Sequence, residues 1–404
     1  MKICRIVYAF SPYSFGGADI YAEKISNALE KDGHASVIIT INPCWADTVE
    51  KHGNRTIYRF HPLNVSTVHN IGKKPAILQG IWSLLDIYNL YSYKKIKGIL
   101  KKECPNVVHV HTPLDITTSV FDAVKSLKLP LVFTLHDYLL LCRRVVLLHS
   151  SGEICTDKNI NPLCKLYRKF VNKVIDNKVD VIVGSSKFVL DMHKKYGFFK
   201  NTKSVVLSHG IELNSLNGEA RREKGFCVLY VGSLTKHKGV HILIEAFKQI
   251  KNDSVKLLII GDGVYAKELK YLAKGDSRII FSGDMPNKDV QKFFKVANVT
   301  VVPSAWYDVR PNVIVESFRS GVAVIASNIG GIPELVKEKY NGFLFEPGNV
   351  KQLRDMLERL IKEPQVLLEL GKNALESVKE IEMSRYIKKL VNVYDEAIEI
   401  NKGR

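Results

Sequence analysis

Short apolar, β-branched runs alternate with helix-like stretches along this chain, and that alternation confines it to parallel α/β architecture. Ile3–Ala9, Ser36–Ile41, Val107–Val110, Leu131–Leu135 and Val181–Gly184 read as strands in the first half. Cys227–Val231, Lys256–Ile260, Ile279–Ser282, Val299–Val302 and Val324–Ala326 do so in the second. Two successive sets of comparable spacing predict two doubly wound, Rossmann-like domains, each of ordinary domain size. Strand periodicity lapses from Ser208-His209-Gly210 through the charged segment Glu219–Gly225. The expected division is therefore residues 1–206 and 207–380, with a terminal helical segment, 381–404, that can cross back to the first domain. Doubly wound sheets bind ligands at the carboxyl ends of their strands, so the expected active site is a cleft that the two domains face.

With 404 residues, 46% hydrophobic and 25% charged, the chain has enough apolar material for two cores. No apolar run is long enough to cross a bilayer, and Met1–Val7 is strand-like rather than a signal peptide, which predicts a cytoplasmic protein. The seven cysteines form no CxxC pair, against both a zinc ribbon and a disulfide framework. Cys142, Cys155 and Cys164 cluster in sequence and leave a metal or redox role open.

The net charge of +18 is uneven, with 29 Lys and Arg against 16 Asp and Glu in residues 1–206. The first domain is thus the expected contact for something anionic, either a membrane surface or a charged acceptor, although solubility alone accounts for such charge equally well. Helix-turn-helix, RNP and finger patterns are absent, so nucleic acid is not an expected partner. Residues 73–103 combine Trp82, Leu84, Leu85, Ile87, Tyr88 and Tyr91 with Lys73, Lys74, Lys94, Lys95, Lys97, Lys101 and Lys102. That mixture suits the headgroup region of an anionic bilayer; alternatively the apolar residues are buried and only the lysines show.

The stretch from Pro303 to Gly321 carries the most chemistry. It sets Asp308 and Glu316 across a strand-to-helix junction, with Pro311 closing the extended segment and Asn312 expected as the N-cap of a helix. Free backbone N–H groups at that helix start would hold an anion, while the carboxylates would accept from hydroxyls. A polyol beside a phosphate, as in a nucleotide sugar, satisfies both. The same spacing equally fits an exposed loop Asp and a solvated helix Glu. Ser14–Asp19, with Gly16-Gly17, follows the first strand and would let backbone approach a ligand. It is not a GxGxxG fingerprint, and the sequence holds no Walker A pattern. His136 sits at a strand end, where it is either functional or structural. Lys238, beside Gly239, is placed to neutralise a leaving diphosphate or simply to be solvated. Gly261-Asp262-Gly263 and Asn328–Glu334 are further turns at strand ends.

Taken together and in order, these segments resemble the retaining nucleotide-sugar glycosyltransferases of the GT-B fold, family 4. VLYVGSLTKHKGVHILIEAF, LLIIGDG, PSAWYDVRPNVIVESF and SNIGGIPELVKEKYNGFLF follow the family order, and GGADIYAEKISNALEKDGHASVIIT, VVHVHTP and TLHDYLLLCRR resemble its acceptor-domain segments. The resemblance implies a transferase that moves a hexose from a UDP- or GDP-sugar to a hydroxyl of a glycan or lipid-linked acceptor, in surface polysaccharide or glycolipid synthesis, without a required metal or cofactor. It implies that Asp308 and Glu316 match the paired acids of the E-x7-E motif, reaching donor-sugar hydroxyls and the nucleotide ribose respectively. Asn312, Val313, Ile314 and Val315 would then offer amides to the diphosphate, Lys238 would bind phosphate, Gly16-Gly17 would meet the donor phosphate, and His136 would lie near the reacting centre. Asp262 and Gly263 belong to the same donor-binding set. Two departures stand out: Asp308 is one methylene shorter than the common Glu, and Ser233 replaces a common Arg, for which Arg310 is the candidate substitute. A nucleotide-sugar 2-epimerase and a non-catalytic nucleotide-sugar-binding scaffold are the rival readings of the same fold.

Overall fold

Two parallel sheets organise the computed structural model, which describes residues 1–13, 17–149, 151–213 and 225–404. Met1–Leu147, Cys155–Gly210 and Met383–Arg404 form one unit; Leu148–Ile154 and Ile211–Glu382 form the other.

In the first unit, β1 (Lys2–Ile6), β2 (Ala35–Ile41), β3 (Thr48–His52), β4 (Arg55–Phe60), β5 (Val107–Val110), β6 (Leu131–Leu135), β7 (Val181–Gly184) and β8 (Lys203–Val206) are ordered β3-β4-β2-β1-β5-β6-β7-β8. Among the described strands of this unit, only β3 runs antiparallel to its neighbour. Strands β3, β4 and β8 escape the sequence reading because β3 and β8 are exposed edge strands with little apolar pattern, and β4 alternates with arginines. The order reverses between β1 and β5, which makes their carboxyl ends the switch point where ligands bind in such sheets. The helices of this unit are α1 (Gly17–Lys31), α2 (Ala76–Leu85), α3 (Leu90–Glu103), α4 (Ser119–Lys125), α5 (Pro162–Ile175) and α6 (Lys187–Lys195).

The second unit orders β9 (Phe226–Val231), β10 (Val255–Ile260), β11 (Ile279–Gly283), β12 (Val299–Val302), β13 (Ala323–Ser327) and β14 (Gly342–Phe345) as β11-β10-β9-β12-β13-β14, parallel throughout. Its switch point lies between β9 and β12. Its helices are α7 (Val240–Lys248), α8 (Ala266–Leu272), α9 (Asn287–Val296), α10 (Asn312–Arg319), α11 (Ile332–Leu335), α12 (Val350–Lys362) and α13 (Val366–Lys379). Phe226, Val228, Leu257, Ile259, Val301 and Ile325 are core residues shared with α7 and α12.

The chain then returns to the first unit as α14 (Met383–Lys402). Tyr386, Ile387, Leu390, Val393, Tyr394 and Ala397 recur at helical spacing and are buried against Ile3, Ile25, Val107, Val132 and Val181. Tyr394 OH bonds His109 Nδ1 at 2.8 Å, so the polar end of the ring is satisfied inside the core. Among the described residues, no helix is long and apolar enough to cross a membrane. Leu390 is 0% exposed. Leu390→Ala is expected to destabilise the first unit by about 2–5 kcal/mol in urea titration, while Lys389→Ala on the exposed side changes stability by no more than about 0.5 kcal/mol.

Candidate active site

Three strand ends of the second unit open into one cavity of about 370 Å³. Val231-Gly232-Ser233 leaves β9, Ile260-Gly261-Asp262 leaves β10, and Asp284-Met285 follows β11; Val290 of α9 and Glu316 of α10 complete the lining. Ser233, Asp262 and Glu316, far apart in sequence, are thus brought together. The adjoining Gly263 is exposed; its amide donates to Asp262 Oδ1 at 2.8 Å, and a Cβ there would lie 2.5 Å from the Leu234 carbonyl oxygen. Asp284 was not singled out from sequence, yet it follows β11 as Asp262 follows β10; its position after a strand end was the available signal.

Asp308 and Lys238 do not line that cavity; they face each other. Lys238 Nζ donates to Asp308 Oδ2 at 2.7 Å, and Ser304 Oγ donates to the same oxygen at 3.2 Å. The ammonium also lies 5.0 Å from the centre of the Trp306 ring, a cation–π contact. Two glycines make this corner possible. Gly239 has φ +73°, and a Cβ on it would fall 1.8 Å from the Pro303 carbonyl oxygen; Gly330 has φ +63°, and a Cβ on it would fall 2.3 Å from the Asp308 carbonyl oxygen. The turn bearing Lys238 and the loop after β13 are therefore pressed against the backbone of the segment that carries Asp308. Ala305 N donates to His237 O at 2.8 Å and Gly331 N to Asp308 O at 2.8 Å, fixing both approaches.

Helix α10 begins one residue earlier than its sequence suggests. Pro311 is the N-cap, at φ −66° and ψ 116°, and Asn312 is the first helical residue, so Asn312 does not cap the helix. Its side chain instead accepts from Arg310 Nη1 at 3.2 Å. Proline fits the cap because its fixed φ is already that of the junction and the N–H it lacks would have no helical acceptor. No side chain caps α10, so its first amides, on Asn312 and Val313, keep their capacity for an anion. Ile314 and Val315 are buried and contribute backbone only. Arg310 is buried beside this helix start.

In the first unit, Gly16 lies outside the described residues and Gly17 is the first residue of α1. His136, at the end of β6, stands in a chain of imidazoles. His136 Nε2 shares a hydrogen bond with His111 Nδ1 at 2.8 Å, and His136 Nδ1 shares one with His209 Nε2 at 3.1 Å. The His109 ring sits 4.2 Å from that of His111, and the His209 ring stacks 3.9 Å from that of Tyr21. Both nitrogens of His136 are engaged, so its tautomer is set by its two neighbours. Loss of water around these rings disfavours their charged form: His109 and His111 lie well below the usual histidine range, and His136 is pushed down to about 4. Cys4 and Cys142 are buried and all seven cysteines are free thiols; among the described residues no three His, Cys, Asp or Glu side chains converge as metal ligands.

A histidine that resists protonation only when folded makes the unfolded chain the better proton acceptor. Folding stability is then intact above the unfolded value of 6.5 and is lost as pH falls from there toward 4. His136 alone removes about 2 kcal/mol between pH 7 and pH 5, and urea midpoints taken across that interval should fall accordingly. A flat profile would contradict the burial of these rings.

The description "Glycosyl transferases group 1" matches residues 213–377, and "Glycosyltransferase Family 4" matches residues 15–215. An uncharacterized glycosyltransferase of Methanocaldococcus jannaschii is 24% identical over 99% of both chains. An uncharacterized protein in the cps region of Klebsiella pneumoniae is 26% identical over 86% of this chain and 90% of its own. A putative teichuronic acid biosynthesis glycosyltransferase of Bacillus subtilis is 27% identical over 63% of this chain and 61% of its own. Among solved structures, Anabaena HepE in complex with UDP superposes with a TM-score of 0.73 at 18% identity, covering 98% of this chain and 100% of that one. Sucrose-phosphate synthase of Thermosynechococcus elongatus superposes equally well, with a TM-score of 0.73 at 18% identity over 98% and 99%. These likenesses establish the architecture, the two family descriptions together span residues 15–377, and the chain belongs to the family 4, group 1 glycosyltransferases of the GT-B fold.

Proposed function

We propose that this glycosyltransferase moves a hexose, with retention at the anomeric carbon, from a nucleoside-diphosphate sugar to a hydroxyl of a glycan or lipid-linked acceptor in surface polysaccharide or glycolipid synthesis. The observation that carries the reading is the clustering of Ser233, Asp262 and Glu316 around one cavity at the strand ends beside the β9–β12 switch point. Glu316 accepts the ribose hydroxyls there. UDP is the favoured nucleotide because the structural neighbour HepE is described with UDP and with UDP-glucose. The teichuronic acid biosynthesis named for the Bacillus subtilis relative supports a polysaccharide acceptor.

The Lys238–Asp308 pair suggests how the donor is received. An arriving diphosphate offers Lys238 a second anion, and a sugar hydroxyl offers Asp308 a donor, so one ion pair opens into two donor contacts. Lys238 and the first amides of α10 then stabilise the diphosphate as the bond from the anomeric carbon to its leaving oxygen breaks. The acceptor oxygen bonds the same carbon on the same face, and its proton passes to the leaving phosphate. With that charge carried by the protein, no metal is required, and the rate is expected to survive EDTA.

Saturating UDP is expected to raise the melting temperature by about 5 °C, since a ligand of the folded state adds stability in proportion to its occupancy. Lys238→Ala should lower kcat about 100-fold or more, and Glu316→Ala should raise the donor KM by about tenfold. Wild-type kinetics in both variants would sink the assignment, and proton NMR of the first-formed product reads the anomeric outcome.

A further inference from the structure

Helix α2, AILQGIWSLL, has no buried residue, although it holds neither an acid nor a base. Ile77 is 78% exposed and Leu84 71%, and Ile81 and Leu85 stand out beside them. Ile81 lies four positions after Ile77, and Leu84 and Leu85 lie three and four after Ile81, which puts them on one stripe. Soluble helices place such a stripe inward; here it faces outward.

A second helix of the same unit repeats the arrangement. On α5, Leu163 and Leu166 are 73% and 64% exposed, and Phe170 continues their stripe at helical spacing. Lys165, Lys169 and Lys173, all exposed, form the adjoining stripe at four-residue intervals. Lys165 and Lys169 also line a hollow of about 430 Å³ with Arg168, Asn172 and Tyr196. Its one carboxylate, Asp157, is held by Lys195 at 3.1 Å, so the hollow keeps a positive balance.

Arg143 joins the two helices. Its guanidinium lies 5.5 Å from the Trp82 ring of α2 and 5.9 Å from the Tyr167 ring of α5, and it donates to Ser83 Oγ at 3.1 Å and Asp86 Oδ2 at 2.9 Å. Asp86 is the only carboxylate between Lys51 and Lys102 in the sequence, and it is buried under this arginine. Arg143 thus ties one aromatic ring of each helix together, and the exposed charges on these helices and at Lys73 and Lys74 are all positive.

We propose that the α2–α5 face docks on the surface of an anionic phospholipid bilayer, with its leucines in the acyl boundary and its lysines at the headgroups. A mixed apolar and cationic face fits that partner and no purely aqueous one: aliphatic side chains leave water, and lysines extend along them to reach phosphate. A second copy of the chain would bring the same positive charges against each other. Helix α3, by contrast, buries Ser92, Ile96 and Leu100 and is anchored in the unit, so the docking element is α2 with α5 rather than the whole of residues 73–103. The inference is independent of the transfer chemistry, since vesicle binding and nucleotide binding can fail separately.

Flotation of the full chain with phosphatidylcholine vesicles, alone or carrying about one third phosphatidylglycerol, tests it. The anionic vesicles should carry at least about tenfold more protein than the neutral ones. Leu84→Glu with Leu166→Glu should remove that excess at unchanged melting temperature, because both positions are exposed; Leu84→Ser with Leu166→Ser gives the same readout if the glutamates impair folding. Lys165→Glu with Lys169→Glu should abolish the preference for anionic lipid. Equal flotation of the wild type with both vesicles, folded leucine variants that float like the wild type, or a dimer on size exclusion that the leucine substitutions dissociate would each overturn the proposal.

Discussion

Everything the second unit places at its switch point hangs on the contact of bare backbone with bare backbone around the loop after β12. Gly239 and Gly330 leave no room for a side chain where they meet the carbonyls of Pro303 and Asp308. That closeness carries Lys238 to Asp308, and the hydrogen bonds Ala305 N to His237 O and Gly331 N to Asp308 O hold it. A side chain at either glycine would push the turn outward by more than the reach of a hydrogen bond tolerates, and both also lie in the left-handed region that β-carbons resist. The charges at this site are therefore positioned by sterics before electrostatics acts.

The ion pair itself is a poor investment in stability. Withdrawing a carboxylate and an ammonium from water offsets most of their mutual attraction, so such pairs add little to folding unless both ends are otherwise satisfied. Asp308 has the Ser304 hydroxyl and Lys238 has the Trp306 ring, which limits the desolvation loss while leaving each charge one obvious substitute partner. A pair of that kind is stable enough to orient two side chains and weak enough to yield to a ligand offering a phosphate and a hydroxyl together. The Asp in place of a longer Glu fits this reading: its short stem keeps the carboxylate at the loop, within reach of Lys238.

The strands that face two layers of helix were legible because burial on both sides demands unbroken apolar runs, as in Val299–Val302 and Leu131–Leu135. Strands β3 and β8 were not, since edge strands need no such run. At the site, the sequence marks Ser233 and Asp262 through the strand-end turns and Glu316 through its spacing from Asp308, but spacing alone cannot say which side chains share a cavity. It treated Asp308 and Glu316 as a pair, whereas Asp308 joins Lys238 and Glu316 joins the strand-end cavity. It placed the α10 cap at Asn312, the residue type that caps most often, when the rigid φ of Pro311 does that work. The histidine chain joins residues from β5, the ends of β6 and the segment near Gly210, and only tertiary structure brings His111, His136 and His209 into line.

The return of α14 has a consequence for how the first unit completes. Its sheet has β5, β6 and β7 covered by residues 386–397, so apolar surface on Val107, Val132 and Val181 stays uncovered until those residues have been made. The polar half of the same contact is equally remote, because His109 finds its partner in Tyr394. Contacts of such separation are slow to form, as the closure of a long loop must precede the burial that rewards it. In the second unit the described strands, from Phe226 to Phe345, and the α12 and α13 helices that cover them follow in sequence. The order of completion that these contacts favour is the second unit before the first, against the direction in which the chain is synthesised.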